Sequence, residues 1–278
     1  DLSGEQTLII VVQPKKGGYS PYPEQNFPNR VFFGDTHLHS SYSTDSGMLG
    51  NTLGPEEAFR FARGETVTSS TGIPARLRRP LDFVVLTDHA ENLGLAPALR
   101  ESNPLILKSE WGRQQHDLVR QGTLEGLIKA FENWLGRVSA RDDPTRDIPQ
   151  LKQDMWQKIT TTADKYNDPG RFTALIGFEW TSQPGGVNLH RNVVFRDGKQ
   201  RADQIVPFSS YDGEDPEQLW AFMDAYEKKT GGRAMAIAHN GNMSNGVMFD
   251  DVTFTQKKPL DRAYAEKRMR WEPVYEVT

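Results

Sequence analysis

Short apolar runs and helical spacings alternate along the chain, and together they predict most of its elements. Residues 7–12 read as a strand, followed by a Pro/Gly-rich stretch at residues 13–29 that reads as an extended surface arm. A first core strand is expected at residues 30–34. A helix at residues 55–63 opens on Pro55 and stops before Gly64, the favoured places for these two residues. The apolar run at residues 81–87 predicts a strand buried on both faces. From about residue 95 to 170 the spacing turns helical, with Leu127, Phe131 and Leu135 in one i, i+4, i+8 stripe and Leu151, Met155 and Ile159 in another. Strands resume at residues 172–180 and 189–195, and Asp215-Pro216 starts a helix that ends at Gly231-Gly232. Strands at residues 233–238 and 273–277 enclose a helix near residues 260–269. Strand and helix thus alternate on both sides of a helical insertion, the pattern of an α/β fold with a mostly parallel sheet or barrel. The chain divides into an N-terminal strand and arm, residues 1–29, and a barrel domain, residues 30–278, carrying the insertion at about residues 95–170.

Composition narrows what such a fold can do. Of 278 residues, 33 are Lys or Arg and 37 Asp or Glu, a formal net charge of -4. That mild acidity argues against nucleic acid as the main partner. The 24 Gly and 17 Pro signal much loop, while 14 Phe, 8 Tyr and 6 Trp are enough to fill a core. No apolar run approaches the roughly 18 residues of a membrane span. The absence of cysteine excludes disulfides, thiolate metal sites and cysteine nucleophiles, leaving imidazole and carboxylate for any metal. The chain opens at Asp1 without an apolar signal segment, which fits a mature exported or periplasmic protein, or a trimmed chain.

The chemistry gathers at strand ends. His37 and His39 form an H-x-H after the first core strand, and alternation along a strand sends both to one side. His89 follows the second core strand, His190 lies in Asn188-Leu-His-Arg191, and His239 ends a later strand; His116 alone lies elsewhere. Parallel α/β folds collect their active sites at the carboxyl ends of strands. Glu179 closes an apolar strand before Trp180, at the edge of a dry core where an unpaired charge is expensive. A metal ion would relieve it, and a carboxylate bridges two ions through its two oxygens. Asp45 is either a further ligand or the cap of a turn, and Asp35 either a ligand or a group that orients a histidine. Taken singly, a strand-end histidine is usually a packed or capping residue.

At these residues the chain resembles a known superfamily. The segment Phe32-Phe-Gly-Asp-Thr-His-Leu-His-Ser-Ser-Tyr-Ser-Thr-Asp45, then Leu86-Thr-Asp-His-Ala90, the Glu179 strand and Ile237-Ala-His-Asn240 look like successive motifs of the PHP (polymerase and histidinol phosphatase) superfamily. The segments Thr66-Val-Thr-Ser-Ser-Thr-Gly-Ile-Pro-Ala-Arg76 and Asp88-His-Ala-Glu-Asn-Leu-Gly94 are similar to the PHP-like family catalogued as domain of unknown function 3604. The resemblance implies a distorted (β/α)7 barrel holding two or three Mn, Zn or Fe ions that hydrolyses phosphate esters. It makes His37, His39, His89, Glu179 and His239 ligands, with His190 the next. PHP proteins end in an Asp-x-His type motif that this chain does not reach, so the barrel is expected to be incomplete and closed by a C-terminal fragment.

On that footing the expected function is hydrolysis of a small-molecule phosphomono- or diester by metal-activated water. Arg191 is a candidate phosphoryl clamp, as are Arg76, Arg78 and Arg79 on a Ser/Thr/Gly-rich loop able to act as a lid; solvated or structural roles compete for all four. Asp88 is either a proton acceptor or a group behind the ligands. Trp111, Trp134 and Trp156 read as a packed cap over the barrel rather than a stacking platform for bases. Two other classes compete: a metal-binding module without turnover, and an amidohydrolase-like C–N hydrolase, whose barrel also opens with H-x-H.

Overall fold

The structure is a computed structural model that describes residues 31–277. The strand expected at residues 7–12 and the arm at residues 13–29 lie outside the described residues. The chain runs through β1 (Gly34–Leu38), α1 (Thr44–Met48) and α2 (Pro55–Ala62), then a small antiparallel hairpin of β2 (Val67–Thr68) and β3 (Pro74–Ala75), then β4 (Phe83–Leu86). The insertion supplies α3 (Leu95–Arg100), α4 (Glu110–Arg120), α5 (Leu124–Ser139) and α6 (Pro149–Tyr166). After it come β5 (Thr173–Trp180), β6 (Arg191–Phe195), α7 (Lys199–Ala202), α8 (Pro216–Thr230), β7 (Ala234–Ala238), α9 (Arg262–Trp271) and β8 (Val274–Tyr275).

Local chemistry explains most boundaries. Side chains of Ser109, Thr123, Asp215 and Asp261 cap α4, α5, α8 and α9, and Asp215 with Gln218 makes a full capping box. Gly231 ends α8 in the left-handed conformation at φ 67°. The first core strand lies four residues later than its apolar run predicts. Among the described residues β1 has β4 as its ladder partner, and β4 starts at Phe83, which pairs with Gly34. Phe33 instead donates its amide to the Asp82 carboxylate.

The fold is mixed α/β, with a curled half-barrel sheet of six strands in the order β1-β4-β5-β6-β7-β8. β1, β4, β5, β7 and β8 run one way and β6 runs against them, antiparallel to both neighbours. The helices pack on the convex face, where Val84, Leu86, Ile176, Phe178, Val193, Phe195, Ala236 and Ala238 join the main core. The concave face carries a separate small cluster, Val85, Val194 and Ile237 with Leu175, Met235 and Val274. At the end away from the histidines this face opens into a largely apolar cavity of about 730 Å³.

The insertion packs its helices into the main core, with one helix face rotated from expectation. Leu151, Met155 and Ile159 are buried on α6 as their spacing predicts. On α5 the buried positions are Gly126, Ala130 and Trp134, one residue ahead of the predicted stripe, and Leu135 is 45% exposed. One residue is about 100° of helix rotation. The Trp134 indole donates to Asn92 Oδ1 at 2.9 Å, which holds that face inward. Trp156 is also buried and bonds the Ala202 carbonyl.

Candidate metal centre

Period-two alternation carries the concave face from apolar to ligating. On β4 the inward row runs Val85, Thr87, His89; on β5 it runs Leu175, Gly177, Glu179; on β7 it runs Met235, Ile237, His239. β6 is read backwards, Val194, Asn192, His190, because this strand is reversed. Its amino-terminal end therefore lies at the same sheet edge as its neighbours' carboxyl ends. His190 thus precedes its strand, which corrects the expectation that every ligand follows one. The β4–β5 pairing continues to a bridge between His89 and Glu179. His37 and His39 arrive from β1, whose register with β4 is irregular between Asp35 and Leu38.

Glu179 is the hub. Its side chain is 1% exposed, and its two oxygens face different histidines. Oε1 lies 2.7 Å from His190 Nδ1 and 3.0 Å from His239 Nε2. Oε2 lies 2.8 Å from His39 Nε2, 3.4 Å from His89 Nδ1 and 3.5 Å from His37 Nε2. Asp45 joins from α1, with Oδ1 3.4 Å from His39 Nδ1 and Oδ2 3.5 Å from His89 Nε2. These residues form three groups that could hold a metal ion: His37, His39 and Glu179; Glu179, His190 and His239; His39, Asp45 and His89. A fourth group, His37, His239 and Glu276, includes a carboxylate that sequence reasoning missed. The signal was present, because Val274 belongs to the concave cluster and Glu276 is the next residue on the same side.

The imidazoles and carboxylates shift one another's protonation. Burial works against charge on His37 and His39, but hydrogen bonds that His37 donates to Glu179 and Glu276, and His39 to Asp45 and Glu179, push them up to about 9 and about 10. His89 is likewise raised against its burial by Glu179 and Asp45. Burial outweighs the Glu179 bond at His239, which is lowered. Burial alone would raise the Glu179 carboxyl; His89, His190, His239 and His37 hold it well below the usual range. Even so, close as they lie to one another, His39 Nε2, Glu179 Oε2, His190 Nε2 and His239 Nδ1 are buried without a well-aligned hydrogen bond among the described residues. Several orphaned lone pairs around one buried carboxylate are the donor set a divalent cation satisfies, so the residues fit such an ion.

Surrounding groups fix the ligands. The Ser43 hydroxyl donates to Asp45 Oδ1 at 2.6 Å, lies 3.1 Å from His39 Nδ1 and accepts the His89 amide. Thr181 Oγ1 bonds His89 Nδ1, leaving Nε2 toward Asp45. Asp88 stays outside the cluster. Its carboxylate accepts from the Ser40 amide and hydroxyl at 2.5 and 2.8 Å, and burial pushes it up to about 6. Asp35 caps the His37 backbone amide.

The sequence-predicted clamps are engaged elsewhere. Arg191 is 2% exposed, pairs with Glu272 at 3.0 Å, bonds the Leu189 carbonyl and stacks over Trp180. It faces the convex core because it alternates with His190, and the phosphoryl-clamp reading does not hold for it. Arg76, Arg78 and Arg79 are exposed beside the small hairpin, with Arg79 over the Phe33 ring at the far end of β1. His116 sits on α4 between Ser102 and Asp117.

Fold and site together define a mixed α/β protein whose sheet edge carries a histidine and carboxylate cluster able to hold a metal ion. A family model described as protein of unknown function (DUF3604) matches residues 26–278, and the chain belongs to that family. Neither curated proteins nor solved structures yield a match. Among the described residues, no helix is long and apolar enough to cross a membrane.

Proposed function

We propose that the protein is a metal-dependent hydrolase of the PHP type that cleaves small-molecule phosphate esters, with two or three divalent ions held by His37, His39, Asp45, His89, Glu179, His190 and His239. The observation that carries this reading is the division of the histidines between the two oxygens of Glu179, the arrangement a bridging carboxylate needs. Ions bound there would activate a coordinated water near neutral pH and withdraw charge from a phosphoryl group. Manganese, zinc and iron all accept this donor set.

The chain's own residues do the rest. Glu179 keeps the histidines converged, and Ser43 and Thr181 set which imidazole nitrogens carry lone pairs. Asp143 and Thr145 of the insertion bond Asn92, three residues after His89, which ties the insertion to the segment that carries this histidine. Positive charge for the substrate would come from bound ions, with Arg191 committed to Glu272. The (β/α)7 barrel is proposed on the curl of the sheet, the edge of β8 that has no ladder partner among the described residues and the apolar concave face, which a further strand would cover.

The test is metal content by plasma emission, followed by turnover of an aryl phosphomonoester and diester with added Mn²⁺. Metal-dependent turnover that disappears in His37→Ala and Glu179→Ala supports the reading. Turnover indifferent to both substitutions overturns the site. Bound metal with no ester turnover favours a binding module, and turnover of amide substrates alone favours a C–N hydrolase.

A further inference from the structure

We infer that Glu276 is a positioning residue for His37, acting with Asn192 to aim the imidazole at Glu179; the inference rests on reading the cluster as a metal centre. His37 stands where β1 departs from regular pairing with β4, between Asp35 and Leu38. Such irregularities re-aim side chains and leave backbone groups without ladder partners. Here both flanking groups are caught. The Asn192 amide donates to the Thr36 carbonyl at 3.2 Å, reaching across the concave face from β6, which is not a neighbour of β1 in the sheet. The His37 amide donates to Asp35 Oδ1 at 2.8 Å. The backbone at the ligand is therefore held by side chains on both sides.

Glu276 completes the arrangement at the ring. Its oxygens lie 3.2 and 3.4 Å from His37 Nδ1, while His37 Nε2 lies 3.5 Å from Glu179 Oε2. An ionised carboxylate only accepts, so it selects the imidazole tautomer with hydrogen on Nδ1 and leaves the lone pair on Nε2. That lone pair then faces the side on which Glu179 Oε2 and His39 Nε2 lack partners. Glu276 and His37 Nδ1 are by contrast already paired. The competing role, Glu276 as a ligand with His37 and His239, draws on the closeness of these three groups and on the orphaned His239 Nδ1. It would require the His37 lone pair on Nδ1 and turn an N–H toward Glu179, withdrawing His37 from the hub.

The experiment uses the full chain and its Glu276→Ala, Glu276→Gln and Asn192→Ala variants, each checked for folding by circular dichroism. Mn²⁺ stoichiometry and affinity are read by plasma emission and chelator competition. The His37 tautomer is read by ¹⁵N NMR on metal-free protein at a pH where the ring is neutral. Positioning predicts unchanged stoichiometry, affinity about 10–100-fold weaker in Glu276→Ala, and substantial recovery in Glu276→Gln, whose amide oxygen also accepts from Nδ1. It also predicts hydrogen on Nδ1 in the parent and a mixed tautomer in Glu276→Ala. Loss of one whole ion in both Glu276 variants overturns it in favour of a ligand role, and unchanged affinity and tautomer overturn it outright. If the parent binds no ion, the metal reading fails by itself, while the tautomer still decides whether Glu276 orients His37.

Discussion

Two glutamates buried almost equally, Glu179 at 1% and Glu272 at 3% side-chain exposure, have their charge compensated in different ways. Glu272 accepts from the guanidinium of Arg191 at 3.0 Å, that of Arg268 at 3.2 Å and the Trp220 indole at 2.9 Å. Its carboxyl is lowered by Arg191 and Arg268 against the opposing effect of burial. These partners do not exchange, since guanidinium keeps its proton throughout the physiological range. Glu179 is surrounded by imidazoles, which release a proton and then present a lone pair. The first region is closed by permanent charge and braces the fold; the second is open to replacement of protons by a cation. The boundary falls within a dipeptide, because His190 turns inward and Arg191 outward on β6.

Substitutions should separate the two regions. The largest effect is expected from Glu179→Ala, which removes the hub and should weaken divalent-ion binding by more than the ~100-fold seen when an outer partner is lost. Calorimetric titration with Mn²⁺ checks this; Glu272→Ala should leave metal stoichiometry unchanged in the same titration, and a loss there would break the comparison. Next comes stability. Glu272→Ala leaves the buried guanidinium of Arg191 and the half-buried one of Arg268 facing an unpaired site and should cost about 3–5 kcal/mol in urea denaturation. Replacing Arg191 and Glu272 together by Met and Leu should recover part of it, because a packed apolar pair removes the desolvation cost on both sides.

The smallest effect expected is on pH dependence. In the metal-free protein His37 and His39 are raised from 6.5 to about 9 and about 10. Their contribution to stability is whole below about pH 6.5 and is lost as pH rises through 9 to 10. Ion binding must displace those protons, so Mn²⁺ affinity should rise over the same interval. Thermal melts with chelator and with Mn²⁺ across that range should diverge as pH increases. Parallel curves would mean that the histidines do not bind the ion.

Much of the cluster was legible because its determinants are local. An H-x-H beside a strand, a carboxylate closing an apolar run and histidines at several strand ends need only period-two geometry to be noticed. The helix caps at Asp215 and Gly231 were legible for the same reason. Glu276 shares the side of the strand that Val274 announces, but a lone carboxylate in a two-residue strand carries no local mark of a site until β8 is paired with β7. The α5 stripe was misread by one position because one bond, from Trp134 to Asn92, sets the rotation of that helix. Arg191 was misassigned because its partner, Glu272, lies 81 residues away in sequence.

Sequence alone determined which residue types could hold a cation, that thiolate chemistry was excluded and where most strands and helices lie. These follow from side-chain chemistry and from repeats a few residues long. Only the tertiary structure decided that β6 runs backwards and so brings His190 to the common edge. Only it decided that the Glu179 oxygens divide the histidines between them, and that Asn192 and Glu276 stand around His37. Strand direction, sheet curl and cross-sheet contacts depend on pairings between segments far apart in the chain, and no local pattern encodes them.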